Sequence, residues 1–206
     1  MFRLRHPTRS AIPVIVEVPH AGLVVPSEVE NEIFTNREMV LRDSDLFVDE
    51  IFERATELGA TSLFADVARH VVDLNRSEHD IDARAVPEHP NAVGANATRG
   101  VVWAHTSNGE RLLRRPLRIA QFERRIELYY RPYHACLRNE IDRLVAEWGF
   151  VIVLAAHSMP STGVSRNGTV RRPDVIPGTR DGRSSGSQVI DTVDACLRGT
   201  SIVRGA

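Results

Sequence analysis

Three short apolar runs in this chain each end on a side chain that binds ions, and this repeated arrangement restricts the fold more than any other feature. They are Val14-Ile15-Val16-Glu17-Val18-Pro19-His20, Val71-Val72-Asp73-Leu74-Asn75-Arg76 and Val151-Ile152-Val153-Leu154-Ala155-Ala156-His157. A run of four to six apolar, largely β-branched residues reads as a buried strand. Open α/β sheets keep their ligand crevices at the carboxyl ends of such strands. The pattern therefore predicts three strands that aim His20, Arg76 and His157 at one rim. A guanidinium matches a carboxylate bidentately, and Asn75 beside it adds one amide donor, so the pair reads as an anion clamp. The competing reading is a strand-end Arg76 in a structural ion pair.

Around these runs the spacing predicts an α/β chain: one three-layer αβα domain over residues 1–206 with a central mixed sheet. Thr61 to Val67 reads as a further strand. Apolar positions at Leu46, Phe47, Ile51, Phe52, Ala55 and Leu58 predict a helix from Asp45 to Leu58, capped by Asp43 or Ser44 and stopped by Gly59. On that helix Asp45 and Asp49 would share a face. Glu17 within its strand hints at a sheet edge or at a carboxylate turned to a site. Ser77 to Arg99 is too long for a connector and suits a lid or binding loop. Gly100–Ala104 and Leu112–Leu113 read as strands about a turn at Ser107-Asn108-Gly109. A long helical tract runs from Pro116 to Trp148 with a kink at Pro132, and Gly149 stops it. Residues 158–186, with three prolines and five glycines, read as an irregular segment laid over the site. A helix over Gln188–Leu197 capped by Ser187 and the start of a strand at Ser201 close the chain.

Composition excludes several chemistries. The formal net charge is −1, which offers no basic stripe for nucleic acid and none for an acidic membrane. All 26 basic residues are arginine, so Schiff-base, P-loop and Ser-Lys mechanisms are out. Cys136 and Cys196 lack metal or redox spacing. No signal-like amino terminus and no 18-residue apolar span is found, which points to a soluble, cytoplasmic protein. There is neither G-x-S-x-G nor G-x-G-x-x-G.

Of the eight histidines, His6, His89 and His105 fall in surface contexts, and His134 reads as a packed, hydrogen-bonded ring. His70 with Asp73 and His79 with Asp82 form H-x-x-D patterns, which carry little weight alone. His20 and His157 leave rigid strands, and two histidines with one carboxylate form a hydrolytic zinc site. Two ordinary strand-end histidines are the alternative.

Val18-Pro19-His20-Ala21-Gly22, Asp73-Leu74-Asn75-Arg76, Arg131-Pro132-Tyr133-His134, Ala156-His157-Ser158-Met159-Pro160 and the glycine-bearing Pro173 to Gly182 occur in this order. Together they resemble the N-formylglutamate amidohydrolase family. The resemblance implies a fold similar to zinc carboxypeptidases and aspartoacylases (phosphorylase/hydrolase-like). It implies a zinc ion on His20 and His157 and an Asn75–Arg76 clamp on the carboxylate of a small N-acylated acidic amino acid. In the carboxypeptidases the third ligand comes three residues after the first histidine, but Leu23 stands there, so Asp45 is taken as the third ligand, with Asp49 and Glu17 behind it. The resemblance implies relatives that usually continue to a strand bearing a glutamate that looks like the general base, whereas this sequence ends at Ala206. Asp43 or Glu17 would have to substitute, or the protein would bind carboxylated small molecules with little or no turnover.

Overall fold

The structure, a computed structural model, describes residues 1–94, 99–165, 168–198, 200 and 202. It forms two compact units, Met1–Ser158 and Met159–Ala206.

The first unit is built on a four-stranded sheet of β1 (Phe2–Arg5), β2 (Val14–Val18), β3 (Thr61–Ala65) and β4 (Ile152–Ala155) in the order β1-β3-β2-β4. β2 runs parallel to both β3 and β4, and β1 is antiparallel to β3, so the sheet is mixed as expected. β2 and β3 are buried along nearly their whole length because both faces of the sheet are covered. On one face Val16, Val18 and Phe64 pack with Val48, Ala60 and Ala156. On the other, Leu63 and Ala65 join a larger cluster with Val71, Val72, Trp103, Phe122 and Tyr133. Glu17 is therefore in a central strand, not at an edge, and its carboxylate accepts a hydrogen bond from Tyr133 Oη at 3.1 Å.

Short helices α1 (Ser27–Glu30), α2 (Arg37–Asp43) and α3 (Val48–Ile51) link β2 to β3, with a 3-10 turn at Glu53–Leu58. The single helix expected over 45–58 is divided at Phe52 into α3 and the 3-10 turn, and Asp45 stays outside it. The Asp45 N–H bonds the carbonyl of His20, and Phe47 adopts a left-handed φ of 65°. Asp43 ends α2 instead of capping a helix, and Asp49 turns to Arg3, away from any shared face with Asp45.

Val71 to Leu74 is not a strand. It is a buried turn segment with no partner strand among the described residues, and its polar groups are met individually. The Asp73 N–H bonds Val101 O, and the Val71 carbonyl accepts from Arg125. The Ser77–Arg99 segment is also no loose lid where it is described, since Ile81, Ala85 and Val86 are buried. The turn at Ser107–Gly109 forms, with Gly109 at φ 83°, but among the described residues its flanks form a single His105–Arg111 bridge with each other, and Leu113 pairs with Ile33.

The long helical tract resolves into α4 (Ile119–Arg125), a π turn over Ile126–Tyr130 and α5 (Arg131–Trp148). The irregularity lies before Pro132, which occupies the first turn of α5, where a missing N–H is tolerated. Gly149 ends α5 at φ 80°. His89, expected at the surface, packs edge-on to Phe122.

The second unit has an antiparallel hairpin, β5 (Thr162–Ser165) and β6 (Gly168–Arg171), and α6 (Ser187–Arg198). Residues 158–186 are thus more regular than their glycines and prolines suggest. The strand expected from Ser201 lies, apart from Ile202, outside the described residues.

Candidate metal centre and its surroundings

Parallel pairing of β2 with β4 brings their carboxyl ends side by side. His20 lies two residues beyond β2, and His157 two residues beyond β4. Their rings stand 4.9 Å apart between centroids. Gly22 lets the chain leaving His20 lie against the exit of β3, where an added Cβ would sit 2.4 Å from the Asp66 carbonyl carbon. Asp45, anchored by its own N–H on the carbonyl of His20, places Oδ2 2.9 Å from His157 Nδ1 and 3.6 Å from His20 Nδ1. One ligand atom from each of the three residues falls within 4.8 Å of the other two. His20 and Asp45 are buried, and His157 is partly open to solvent.

Asp73, fully buried, organises this cluster from behind. Its Oδ1 lies 2.7 Å from His20 Nε2 and accepts the Asn75 N–H at 3.0 Å. Its Oδ2 accepts from Arg69 Nη2 at 3.0 Å and Trp103 Nε1 at 3.1 Å. A carboxylate with four donors fixes the proton of His20 on Nε2 and leaves Nδ1 facing Asp45. Burial opposes a charged His20, yet Asp45 and Asp73 outweigh it and raise its pKa. Burial likewise works against both carboxylates. Hydrogen bonds from His157 and His20 hold Asp45 well below the usual carboxylate range, and His20 and Arg69 do the same for Asp73.

Asn75 reaches the cluster, with Nδ2 3.2 Å from His157 Nε2. Arg76 is one residue further on, its nearest carboxylate Asp80 a loose 3.8 Å away. His70 and Asp73 do not pair as their H-x-x-D spacing suggested. His70 is held by Asp43 at 2.8 Å, and Asp43 accepts from the Ser107 hydroxyl and N–H. A surface cavity of about 490 Å³ lined by Leu23, Thr35, Arg37 and Arg114 includes none of the cluster residues.

Sequence reasoning missed Asp73, Arg69 and Trp103 as supports of His20. Asp73 is 53 positions from His20, and no local spacing announces such a pair.

Residues 12–205 match the family described as FGase, N-formylglutamate amidohydrolase. The chain belongs to that family. Among its relatives, the N-formylglutamate deformylase of Pseudomonas putida is 32% identical over 152 residues, 73% of this chain and 53% of that protein. The N-formylglutamate deformylase of Pseudomonas aeruginosa is 30% identical over 178 residues, 85% of this chain and 62% of that protein. The chain thus spans between half and two thirds of the length of these curated relatives. The crystal structure of N-formylglutamate amidohydrolase from Ralstonia eutropha JMP134 superposes with a TM-score of 0.86 at 28% identity, covering 99% of this chain and 74% of that one. A gene product of Agrobacterium tumefaciens, at 17% identity and a TM-score of 0.61, covering 98% of this chain and 71% of that one, shares the fold.

Proposed function

We propose that this chain is a zinc-dependent amidohydrolase, zinc-carboxypeptidase-like in its catalytic layout, that cleaves the formamide, or a similar amide, of an N-acylated acidic amino acid such as N-formylglutamate. The observation that carries the reading is the hydrogen bond from Asn75 to His157, which ties the anion-clamp turn to the His20–Asp45–His157 cluster. The relatives named as N-formylglutamate deformylases support the substrate class.

The donor set suits zinc. Two imidazoles and one carboxylate are its common hydrolytic ligands, and a metal-ligating imidazole ordinarily gives its second nitrogen to a hydrogen-bond partner. Both rings here have such a partner, Asp73 for His20 and Asn75 for His157. When bound, the metal supplies Lewis-acid polarisation of a carbonyl and an acidified water.

The side chains supply position. With Nδ1 of His157 committed to a cation, its proton would reside on Nε2, and the Asn75 amide, turned over from the orientation that now places Nδ2 3.2 Å from Nε2, would meet it with its oxygen. The amide N–H₂ is then free for a substrate carboxylate. Arg76, whose acidic neighbour among the described residues is a loosely placed Asp80, offers the planar fork for the same carboxylate. Gripping that end fixes the scissile amide over the cluster.

Formate release from N-formylglutamate, measured beside metal content, tests the proposal. The wild type should hold about one zinc per chain and turn over. His20→Ala and His157→Ala should lose both properties. Arg76→Ala should keep the zinc and lose about 2–4 kcal/mol of transition-state binding, on the order of 30- to 1000-fold in kcat/KM. Unchanged activity in Arg76→Ala would remove the clamp from the mechanism.

A second reading is a binding protein for carboxylated small molecules that lacks a general base. Its support is that the internal carboxylates are engaged: Asp43 by His70 and Ser107, Glu17 by Tyr133, and Asp73 by His20, Arg69 and Trp103. Zinc and ligand binding without formate release would select it.

A further inference from the structure

We infer that Tyr130 and His134 are positioning residues that hold the Asn75–Arg76 turn in its carboxylate-binding shape from the helix behind it. The inference rests on the clamp assigned above. The turn runs without sheet pairing, so nothing regular fixes its backbone. Two sets of contacts take over that role. From the cluster side, Asp73 accepts the Asn75 N–H through its carboxylate, and its carbonyl accepts the Arg76 N–H at 3.2 Å. From the helical tract, Tyr130 Oη donates to the carbonyl of Arg76 at 2.7 Å, and His134 Nε2 donates to the carbonyl of Leu74 at 3.0 Å. The carbonyls on both sides of Asn75 are thus pinned.

Tyr130 and His134 brace each other. Their rings stack at 4.1 Å with a 36° tilt, and the edge of Tyr133 supports His134 at 5.4 Å. Burial pushes the His134 pKa down, which keeps the ring neutral with its donor on Nε2. Tyr130 is the last residue of the π turn. An extra residue in a helical turn rotates the side chains before it relative to those after it. Neighbouring tyrosines, about 100° apart around the axis as on any helix, serve different places. Tyr129 Oη donates to Glu28, while Tyr130 Oη reaches the clamp. Neither ring needs to touch substrate, for the consequence is an Asn75 amide and an Arg76 guanidinium fixed before the ligand arrives.

Binding of glutarate, a dicarboxylate with no amide to cleave, to the zinc-loaded full chain tests this by calorimetry. Tyr130→Phe and His134→Leu should each weaken binding about tenfold with zinc content unchanged, the scale of one lost hydrogen bond plus a loosened turn. His134→Gln carries an N–H₂ near the position of Nε2 and should restore binding to within about threefold, a rescue that general destabilisation of α5 would not give. Amide hydrogen exchange at Asn75 and Arg76 should quicken in Tyr130→Phe and His134→Leu and stay slow in His134→Gln. In turnover of N-formylglutamate the same variants should raise KM and leave kcat nearly intact. Wild-type glutarate affinity in both Tyr130→Phe and His134→Leu overturns the inference, as does failure of the wild type to bind glutarate. If the wild type binds glutarate and the variants weaken it without any formate release, the inference stands and the amidohydrolase reading falls.

Discussion

Asp73 makes the most consequential contacts of any single residue in this protein. Its two oxygens serve an imidazole, a backbone N–H, a guanidinium and an indole, and a carboxylate has room for about four such donors. Asp73→Asn keeps the size but converts one oxygen into a donor, which must face either His20 or the Arg69–Trp103 pair. Loss of such a partner typically weakens a metal about 10- to 100-fold. Competition against a chelator should place the Asp73→Asn zinc affinity in that range, and equal affinities would strip Asp73 of its orienting role. His70 supports a pH prediction. Burial pushes its pKa down and Arg69 and Arg42 push the same way, while Asp43 pulls it up without winning. The unfolded chain therefore takes up the proton first, near pH 6.5. Stability from the neutral ring is complete above that value and is lost as pH falls toward the lower folded pKa. His20, with a raised pKa, runs the opposite way, losing its contribution as pH rises through its folded value. That term is common to wild type and variant and cancels in their difference. His70→Gln keeps a donor for Asp43 and cannot titrate. Thermal melts from pH 7 to pH 5 should therefore show a steeper loss in wild type than in His70→Gln, and parallel curves would mean that His70 does not sense this range.

The loop after β2 shows how an element places chemistry that its sequence only hints at. Gly22 lies against the backbone leaving β3, with Val24 bridged to Val67, so His20 is held between two strand exits. A Cβ at Gly22 meets carbonyl atoms of Asp66 and Val67 at 2.4–2.6 Å, and those atoms cannot turn aside as a flexible side chain can. Gly22→Ala should cost about 1–3 kcal/mol, typical of overpacking, and should lower zinc occupancy because His20 moves with the loop. A melting curve and metal content that both match wild type would show that the loop is free to shift. Elements of this kind also mark where the sequence could be read. β2, β3 and α5 are signalled by runs bounded by Pro13, Gly59 and Gly149, because burial on both faces and helical periodicity leave local signatures, and β4 by an apolar run before Pro160 although its residues are largely exposed. His20 and His157 were legible for the same reason, each being the polar residue where such a run stops. Val71 to Leu74 carries an identical apolar signature without being a strand. Its distinguishing feature is that Arg125, Val101 and His134 meet its backbone from 28 to 60 residues away, and composition within the run does not encode that. Asp45 misleads in the reverse sense. Its neighbours have helical spacing, but bonds to His20 and His157 keep it out of a helix.

For the molecule as a whole, the cluster adds polar ties between parts of the chain that also meet through the sheet and through packing of Val48 with Val16, Val18 and Ala156. His20 comes from the central strand β2, Asp45 from the short-helix segment over one sheet face, and His157 from the edge strand β4. β4 is largely exposed along its length, with Val153 and Leu154 39% and 45% accessible, so its place depends on pairing with β2 and on the tie that His157 makes just beyond its end. A metal bound by all three residues would cross-link these parts in the folded state and find no preformed equivalent in the unfolded chain. Two buried or half-buried rings and a carboxylate held deprotonated are already gathered, so little ordering remains to be done on binding. Linkage then sets the size of the effect. With free zinc at 100 times Kd, stabilisation is about 2.7 kcal/mol, which for a chain of this length corresponds to roughly 5–10 °C in Tm. Binding of zinc to histidines of the unfolded chain would trim that figure. Scanning calorimetry with zinc and with a chelator should show the upward shift in the wild type and remove it in His157→Ala, where β4 loses its tie to Asp45. If the wild type gains nothing from zinc, the three residues are a hydrogen-bonded structural cluster and the metallohydrolase mechanism fails. If His157→Ala gains as much as the wild type, zinc is bound elsewhere on the chain.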